Sequence, residues 1–140
     1  MCPFCAIATG DVEAHVVLDQ AGSLAFLDHR PLFPGHCLLI PREHRATLSD
    51  LPAEEIGPLF ANAQLLGRAV EQAMDAEGTF VALNNRVSQS VPHLHVHVVP
   101  RRRKDGLRGF FWPRTHYEDD AHMIRVAKAI RARADSLGGG

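Results

Sequence analysis

The stretch 90–103, SVPHLHVHVVPRRR, decides how the fold of this 140-residue chain is interpreted. Within it, His93, His95 and His97 alternate with apolar residues between two prolines. Because successive side chains of a strand point to opposite faces, the spacing predicts a strand over 92–100 with three imidazoles on one face and a core-facing apolar set on the other. Burying unpartnered imidazoles costs about 1–3 kcal/mol each. The pattern therefore favours a metal site or a histidine nucleophile over a solvated sheet face.

The composition is that of an ordinary globular protein, with 46% hydrophobic and 22% charged residues. The length predicts a single domain over 1–140, with 136–140 as a disordered tail. A net charge of −1 provides no basic field, so we expect no nucleic-acid partner. The sequence shows no membrane-spanning run and no secretory signal, and three cysteines are too few for a disulfide framework. We therefore expect a cytoplasmic protein with no membrane association.

The rest of the chain predicts an α+β fold. Apolar periodicity predicts one helix that begins at Ser49 or Asp50 and ends at Gly78, and a second that begins after Asp119 or Asp120. Pro58 predicts a kink or a later start in the first helix. Four further strands are predicted over 15–18, 23–28, 36–41 and 79–85. Because neighbouring strands lack crossover helices, we expect an antiparallel sheet with the helices on one side.

The triad stretch HLHVHVV, residues 93–99, resembles the His-φ-His-φ-His-φ-φ signature of the histidine triad (HIT) family of nucleotidyl hydrolases and transferases. The stretch SLAFLDHRPLFPGHCLLIPREH, residues 23–44, is similar to the first half of that family, and FFWPRTHY, residues 110–117, is similar to the tail of short bacterial members. The resemblance covers about residues 2–117. It implies a five-stranded antiparallel sheet with two helices, and a homodimer in which two sheets join into one of ten strands.

The resemblance also implies the catalytic side chains. His95 is expected to attack the α-phosphorus of a nucleotide, with its other ring nitrogen donating a hydrogen bond to the carbonyl of His93. His97 is expected to contact phosphate oxygens or protonate the leaving group. His36 and Gln89 are expected to complete the phosphate site. The expected reaction cleaves a nucleoside phosphoramidate or a dinucleoside polyphosphate through a nucleotidyl-histidine intermediate. The alternative is a nucleotide-binding regulatory module with little turnover.

By the same resemblance, the substrate is a purine nucleotide, with adenine expected. Asp28 is expected to bind the ribose hydroxyls, although a turn residue after a strand is the other interpretation. Ser88 departs from the family, which usually has glycine there. The other residues expected to contact the nucleotide are Phe26, Leu27, Asn84, Asn85, Ser90 and Trp112. Phe26 could equally be ordinary core, and Trp112 could dock the last helix.

The N-terminal CPFC motif, residues 2–5, allows three interpretations. A thioredoxin-like redox motif needs a preceding strand, for which there is no room. A pair of buried thiols is the simplest interpretation. The third is half of a zinc site. Zinc-binding HIT proteins combine such a motif with the Pro-x-x-His histidine and the first triad histidine. The resemblance therefore implies a closed, structural zinc site formed by Cys2, Cys5, His44 and His93.

The remaining polar features lack a motif. The basic run 101–104 could attract polyphosphate, but a solvated loop is favoured. His15 and His29 are interpreted as surface histidines, and Cys37 as a core residue of its strand.

Overall fold

Five antiparallel strands form one sheet in the computed structural model, which describes residues 1–108 and 113–138. In chain order, β1 to β5 span Val16–Asp19, Ser23–Leu27, Cys37–Pro41, Gly78–Ala82 and Val96–Arg101. Across the sheet the order is β1-β2-β3-β5-β4, so β1 and β4 form its edges. The predicted α+β class and the five-stranded antiparallel sheet are therefore confirmed.

The described residues form three α-helices where two were predicted. They are α1, Pro3–Thr9; α2, Ala53–Ala73; and α3, Asp120–Leu137. Helix α1 was not predicted because seven residues are too few to show a helical apolar period. As expected, α3 is capped by Asp119, whose carboxylate accepts a hydrogen bond from the amide of His122.

The predicted bounds of the long helix were wrong at both ends. A 3-10 turn at Leu48–Asp50 replaces the expected first turn, and α2 begins three residues later, after Pro52. Pro58 still lies inside α2. The helix ends at Ala73, with Met74 as its C-cap, and Asp75 then adopts a left-handed φ of 50°. Gly78 instead opens β4.

The histidine strand is shorter than predicted. β5 begins at Val96, so His93 and His95 precede it and only His97 lies within it. The cause is a tertiary contact, since the amide of Leu94 donates to the carbonyl of Arg45 at 2.6 Å instead of joining the sheet ladder. The fourth strand is also shorter than predicted, ending at Ala82.

The core lies on both faces of the sheet, so the expectation that the helices lie on one side was wrong for α1, whose Phe4 packs on the face opposite to α2. One cluster packs Leu39, Leu94, Val96 and Val98 against α2, which contributes Leu59, Ala63, Leu66 and Val70. The other contains Phe4 of α1 with Leu24, Phe26, Leu38 and Ile40. Cys37 is buried as predicted, and burial raises the pKa of its thiol to about 11.

The chain divides into two compact units, Met1–Asp105 and Gly106–Gly140. The first contains the sheet, α1 and α2; the second contains α3, which includes residues 136 and 137 of the expected tail. Trp112 lies outside the described residues. Among the residues that are described, no helix combines the length and apolarity needed to span a membrane.

The basic run is tied to the surrounding backbone and acids. Arg101 forms an ion pair with Asp105, and Arg103 forms one with Glu77 at 2.6 Å. Arg102 donates to backbone carbonyls at the end of α2. These contacts favour the solvated-loop interpretation of 101–104 over a free anion-binding patch.

Candidate active site and metal centre

The central imidazole, His95, is held in one tautomer by the backbone beside it. Its Nδ1 lies 2.7 Å from the carbonyl oxygen of His93, the hydrogen bond expected from the sequence. A carbonyl oxygen can only accept, so Nδ1 carries the proton and Nε2 keeps a free lone pair. Only 4% of His95 is exposed, yet it lines a cavity and is not sealed in the core.

A second chain of hydrogen bonds orients His97. The amide of Leu32 donates to Nδ1 of His36 at 3.0 Å, so the proton of that neutral ring is on Nε2. This Nε2 lies 2.9 Å from Nδ1 of His97, which must therefore accept. The proton of His97 is left on Nε2, a hydrogen-bond donor. Asp28 adds a carboxylate oxygen 3.7 Å from Nε2 of His36.

The rings of His36 and His97 are both neutral near pH 7. Burial, together with the charges of His95 and His36, lowers the pKa of His97 to about 4, against the opposing effect of Asp28. Burial also lowers the pKa of His36, while Asp28 acts to raise it. His36 and His97 are therefore neutral imidazoles, and the Nε2–H of His97 is available as a hydrogen-bond donor to a ligand.

We expect the free energy of unfolding to fall as the pH decreases from about 6.5 to about 4. Over this range the unfolded chain protonates His97 and the folded chain does not, so protons favour the unfolded state. Urea denaturation midpoints at pH 7.5 and pH 5 would measure the loss, and His97→Gln should reduce it. An equal loss in wild type and His97→Gln would contradict the assignment.

A cavity of about 790 Å³ surrounds these groups. It is large enough for a small-molecule ligand of nucleotide size. Of the residues predicted to bind or transform a nucleotide, its lining includes Phe26, Leu27, Asp28, Ser90, His95 and His97. Asn84, Asn85, Gln89 and His36 do not line it.

The side chain of Gln89 is engaged in holding a loop. Its Oε1 accepts from the amide of Arg86 at 2.9 Å, and its Nε2 donates to the carbonyl of Ala46 at 2.6 Å. Asn84 donates to the carbonyl of Ser88 at 3.2 Å. Asn85 accepts from the amide of Leu48 at 2.9 Å. These amides therefore shape the loop 84–89 that leads to the triad.

Ser88, at the position where the family usually has glycine, adopts a backbone conformation typical of glycine. Ser88 and Arg86 both adopt left-handed φ angles, 60° and 69°. Glycine reaches this region freely, whereas other residues pay about 1–2 kcal/mol. The loop therefore keeps a glycine-type conformation with a serine in place.

Several lining residues were missed by the sequence analysis. The apolar ones include Phe4, Ile7 and Val12. His15 and His29, interpreted as surface residues, are exposed but also line this cavity. The only sequence signal for Phe4 was its place between two candidate zinc ligands.

The four residues of the expected zinc site come together in space. Nδ1 of His93 lies 3.4 Å from Sγ of Cys2 and 3.5 Å from Sγ of Cys5, and Nδ1 of His44 lies 3.4 Å from Sγ of Cys5. A tetrahedral zinc with ordinary bond lengths separates sulfur and nitrogen ligands by about 3.5 Å. Nε2 of His93 donates to the carbonyl of Pro41 at 2.8 Å, which leaves Nδ1 free for a metal. The donor set therefore fits zinc.

A second group, Asp28, His36 and His97, also has its potential ligand atoms within 4.8 Å of one another. Here the tautomers oppose a metal. Because Leu32 donates to Nδ1 of His36, the Nε2 that points to this group carries a proton. These residues form a hydrogen-bonded chain rather than a second metal centre.

The HIT domain family model matches residues 9–104, well over half of the chain. The chain belongs to the HIT family. An uncharacterized HIT-like protein of Mycobacterium tuberculosis is 38% identical over 108 residues, which cover 76% of this chain and 75% of that protein. Adenosine 5'-monophosphoramidase hnt1 of Schizosaccharomyces pombe is 36% identical over 80% of this chain and 83% of its own length.

A further relative is bis(5'-nucleosyl)-tetraphosphatase [asymmetrical] of the same yeast, 34% identical over 59% of this HIT chain and 47% of its own length. Among solved structures, SMU.412c from Streptococcus mutans has a TM-score of 0.85 at 33% identity, covering 94% of this chain and 84% of that one. A Zn-bound histidine triad family protein from Mycobacterium smegmatis has a TM-score of 0.72 at 36% identity, covering 97% and 96%. Relatives of this chain thus include named nucleotide hydrolases and a zinc-bound structure.

Proposed function

We propose that this HIT protein is a nucleotide hydrolase or nucleotidyl transferase that acts through a covalent intermediate on His95. The observation that carries the proposal is the 2.7 Å hydrogen bond from Nδ1 of His95 to the carbonyl of His93, which leaves Nε2 unprotonated at the cavity. Phosphoryl transfer needs an in-line nucleophile and stabilised charge, both of which neutral imidazoles can supply.

In the first step, Nε2 of His95 forms a bond to the α-phosphorus, and the bond from phosphorus to the leaving group breaks. The leaving group departs with the bonding electrons and takes up a proton from solvent. The Nε2–H of His97, oriented by His36, donates a hydrogen bond to the phosphate or leaving atom. In the second step, water attacks phosphorus and loses a proton to solvent, the electrons of the bond to His95 return to its Nε2, and a nucleoside monophosphate is released.

The proposed nucleotide site uses Asp28 for the ribose. Its Oδ1 accepts from the amide of Arg30 at 2.9 Å, and the remaining carboxylate lone pairs can accept from ribose hydroxyls. Phe26 and Leu27 provide apolar lining suited to a purine ring. Because a relative is named as an adenosine 5'-monophosphoramidase, we infer an adenosine phosphoramidate as the first substrate to test. A dinucleoside polyphosphate is the second, from the name of the tetraphosphatase relative.

We infer that zinc binds Cys2, Cys5, His44 and His93 and has a structural role. When bound, zinc with four protein ligands holds separate chain segments together and leaves no open position for chemistry. Two thiols kept reduced as metal ligands suit a reducing compartment, so we place the protein in the cytoplasm.

A homodimer is part of the proposal. β4 is an edge strand of the described sheet, and Val81 on it is 46% exposed. An edge strand can pair with a second copy, which would join two sheets into one of ten strands. Light scattering after size exclusion should give twice the chain mass; a monomer at micromolar concentration would contradict this part.

The intermediate itself is the test that separates an enzyme from a binding module. Rapid quenching after mixing with adenosine phosphoramidate should leave an adenylyl group on a peptide that contains His95, detectable by mass spectrometry under neutral conditions. The same sample should release AMP. Tight AMP binding with neither turnover nor a modified peptide would support the regulatory module instead.

A further inference from the structure

We propose that Phe4 is a positioning residue. Through it, the Cys2–Cys5–His44–His93 site fixes the orientation of the His95 ring and the position of one wall of the nucleotide cavity. The inference rests on the proposed function and adds a residue that lies outside the triad motif. Phe4 takes part in no chemical step and acts by packing against the ring of His95.

The contacts of Phe4 connect the two sites. Its ring is 9% exposed and meets His95 edge to face, with centroids 5.1 Å apart and planes at 86°. It also lies 6.0 Å from the ring of His93, a candidate zinc ligand, and 5.4 Å from the ring of Phe26. Both Phe4 and His95 line the cavity. One aromatic ring thus touches a metal ligand, the proposed nucleophile and the proposed base pocket.

The attachment of α1 explains why a metal would control this ring. Seven residues are too few for a stable isolated helix, and Phe4 is the only residue of α1 that is buried. Cys2 caps the helix, and its Sγ accepts from the amide of Cys5 at 3.4 Å. A metal held by both thiols would therefore fix the chain on either side of Phe4. Without it, Phe4 is the one buried anchor of α1, supported by the partly buried Ile7 and Ala8 and by the hydrogen bond from Arg42 to the carbonyl of Ala8.

A second route from the metal site to His95 runs through the backbone. The carbonyl of His93 accepts a hydrogen bond from the Nδ1–H of His95. Metal ligation of His93 would fix the position of this carbonyl and so stabilise the same tautomer of His95. The backbone route is independent of the side chain at position 4. A substitution of Phe4 therefore tests the ring alone.

The experiment measures AMP affinity by calorimetry, with and without zinc, in wild type, Phe4→Ala and Leu66→Ala. Leu66 is a matched control because it is buried to a similar degree but lies in the other core cluster and away from the cavity. We expect zinc removal to weaken AMP binding by about tenfold in wild type and in Leu66→Ala. Zinc-loaded Phe4→Ala should bind about as weakly as zinc-free wild type, with less than about a twofold further loss on zinc removal.

Nitrogen-15 NMR of the His95 ring provides a readout that does not depend on nucleotide binding. Its Nε2 resonance should shift on zinc loading in wild type and in Leu66→Ala. In Phe4→Ala, where only the backbone route remains, the shift should fall to less than about half of the wild-type value. If Phe4→Ala does not fold, Phe4→Leu keeps apolar bulk without the ring edge, and its zinc effect on affinity should drop to about threefold. If zinc removal unfolds the chain, only the zinc-loaded proteins are compared. Phe4→Ala should then bind AMP about tenfold more weakly than Leu66→Ala.

A full zinc effect in Phe4→Ala would overturn the proposal, as would an equal AMP affinity for zinc-loaded and zinc-free wild type. A zinc-dependent His95 signal that requires Phe4, in a protein with no AMP binding, would reject the proposed function and retain the coupling.

Discussion

His95→Ala is expected to lower kcat with adenosine phosphoramidate by at least about 10⁴-fold while leaving AMP affinity within about threefold of wild type. The reason is the tautomer. Within the described residues, His95 is the cavity imidazole whose Nδ1–H donates a hydrogen bond to a backbone carbonyl. Its Nε2 therefore keeps a free lone pair. His97 cannot replace it, because its Nδ1 accepts from His36 and its Nε2 carries the proton. Steady-state release of AMP and calorimetric binding would measure the two quantities.

A matched control separates lost chemistry from lost stability. Leu66→Ala removes a buried side chain from the α2 cluster and should retain kcat at temperatures where it stays folded. His95→Gly offers a further check, because a vacated ring site at the cavity can admit free imidazole. Added imidazole should then restore part of the turnover. A His95→Ala enzyme within tenfold of wild type would exclude the covalent mechanism.

Removing zinc is expected to lower the thermal midpoint of unfolding by about 10 °C or more. The four candidate ligands come from the N-terminus, from the segment after β3, and from the segment before β5, separated by up to 91 residues along the chain. A metal that joins them stabilises only the folded state, so its binding free energy adds to folding. Differential scanning calorimetry with and without a chelator would measure the shift.

The third cysteine provides the matched control. Cys5→Ala should reduce bound zinc from about one per chain to nearly none, and a chelator should then cause no further loss. Cys37→Ala removes a buried thiol outside the site and should keep both the zinc and the full chelator effect. Unchanged zinc content in Cys5→Ala, or a wild-type midpoint insensitive to chelator, would contradict the structural role.

The sequence was sufficient for the fold class, because the features that define it are local. The alternation of Leu94, Val96 and Val98 predicted which side chains face the core, where they pack with residues of α2. The triad motif predicted the family, which the match over residues 9–104 confirms. The resemblance to zinc-binding HIT proteins also singled out four candidate zinc ligands that lie together in the structure.

Other features required the tertiary structure, because they depend on contacts between distant segments. The amide of Leu94 pairs with Arg45 rather than with β3, which moves the start of the histidine strand to Val96. Helix α1 is too short to show a period, yet its one buried ring lies against His95.

The sequence by itself determined that the triad histidines belong to the site, because the motif and its alternation with apolar residues lie in consecutive positions, 93–99. Only the tertiary structure decided which nitrogen of His36 and which nitrogen of His97 carries the proton. That choice depends on the amide of Leu32 acting on His36, and on His36 acting on His97 across 61 residues. The physical reason is that a histidine tautomer is set by its hydrogen-bond partners, and folding alone brings those partners within 3 Å.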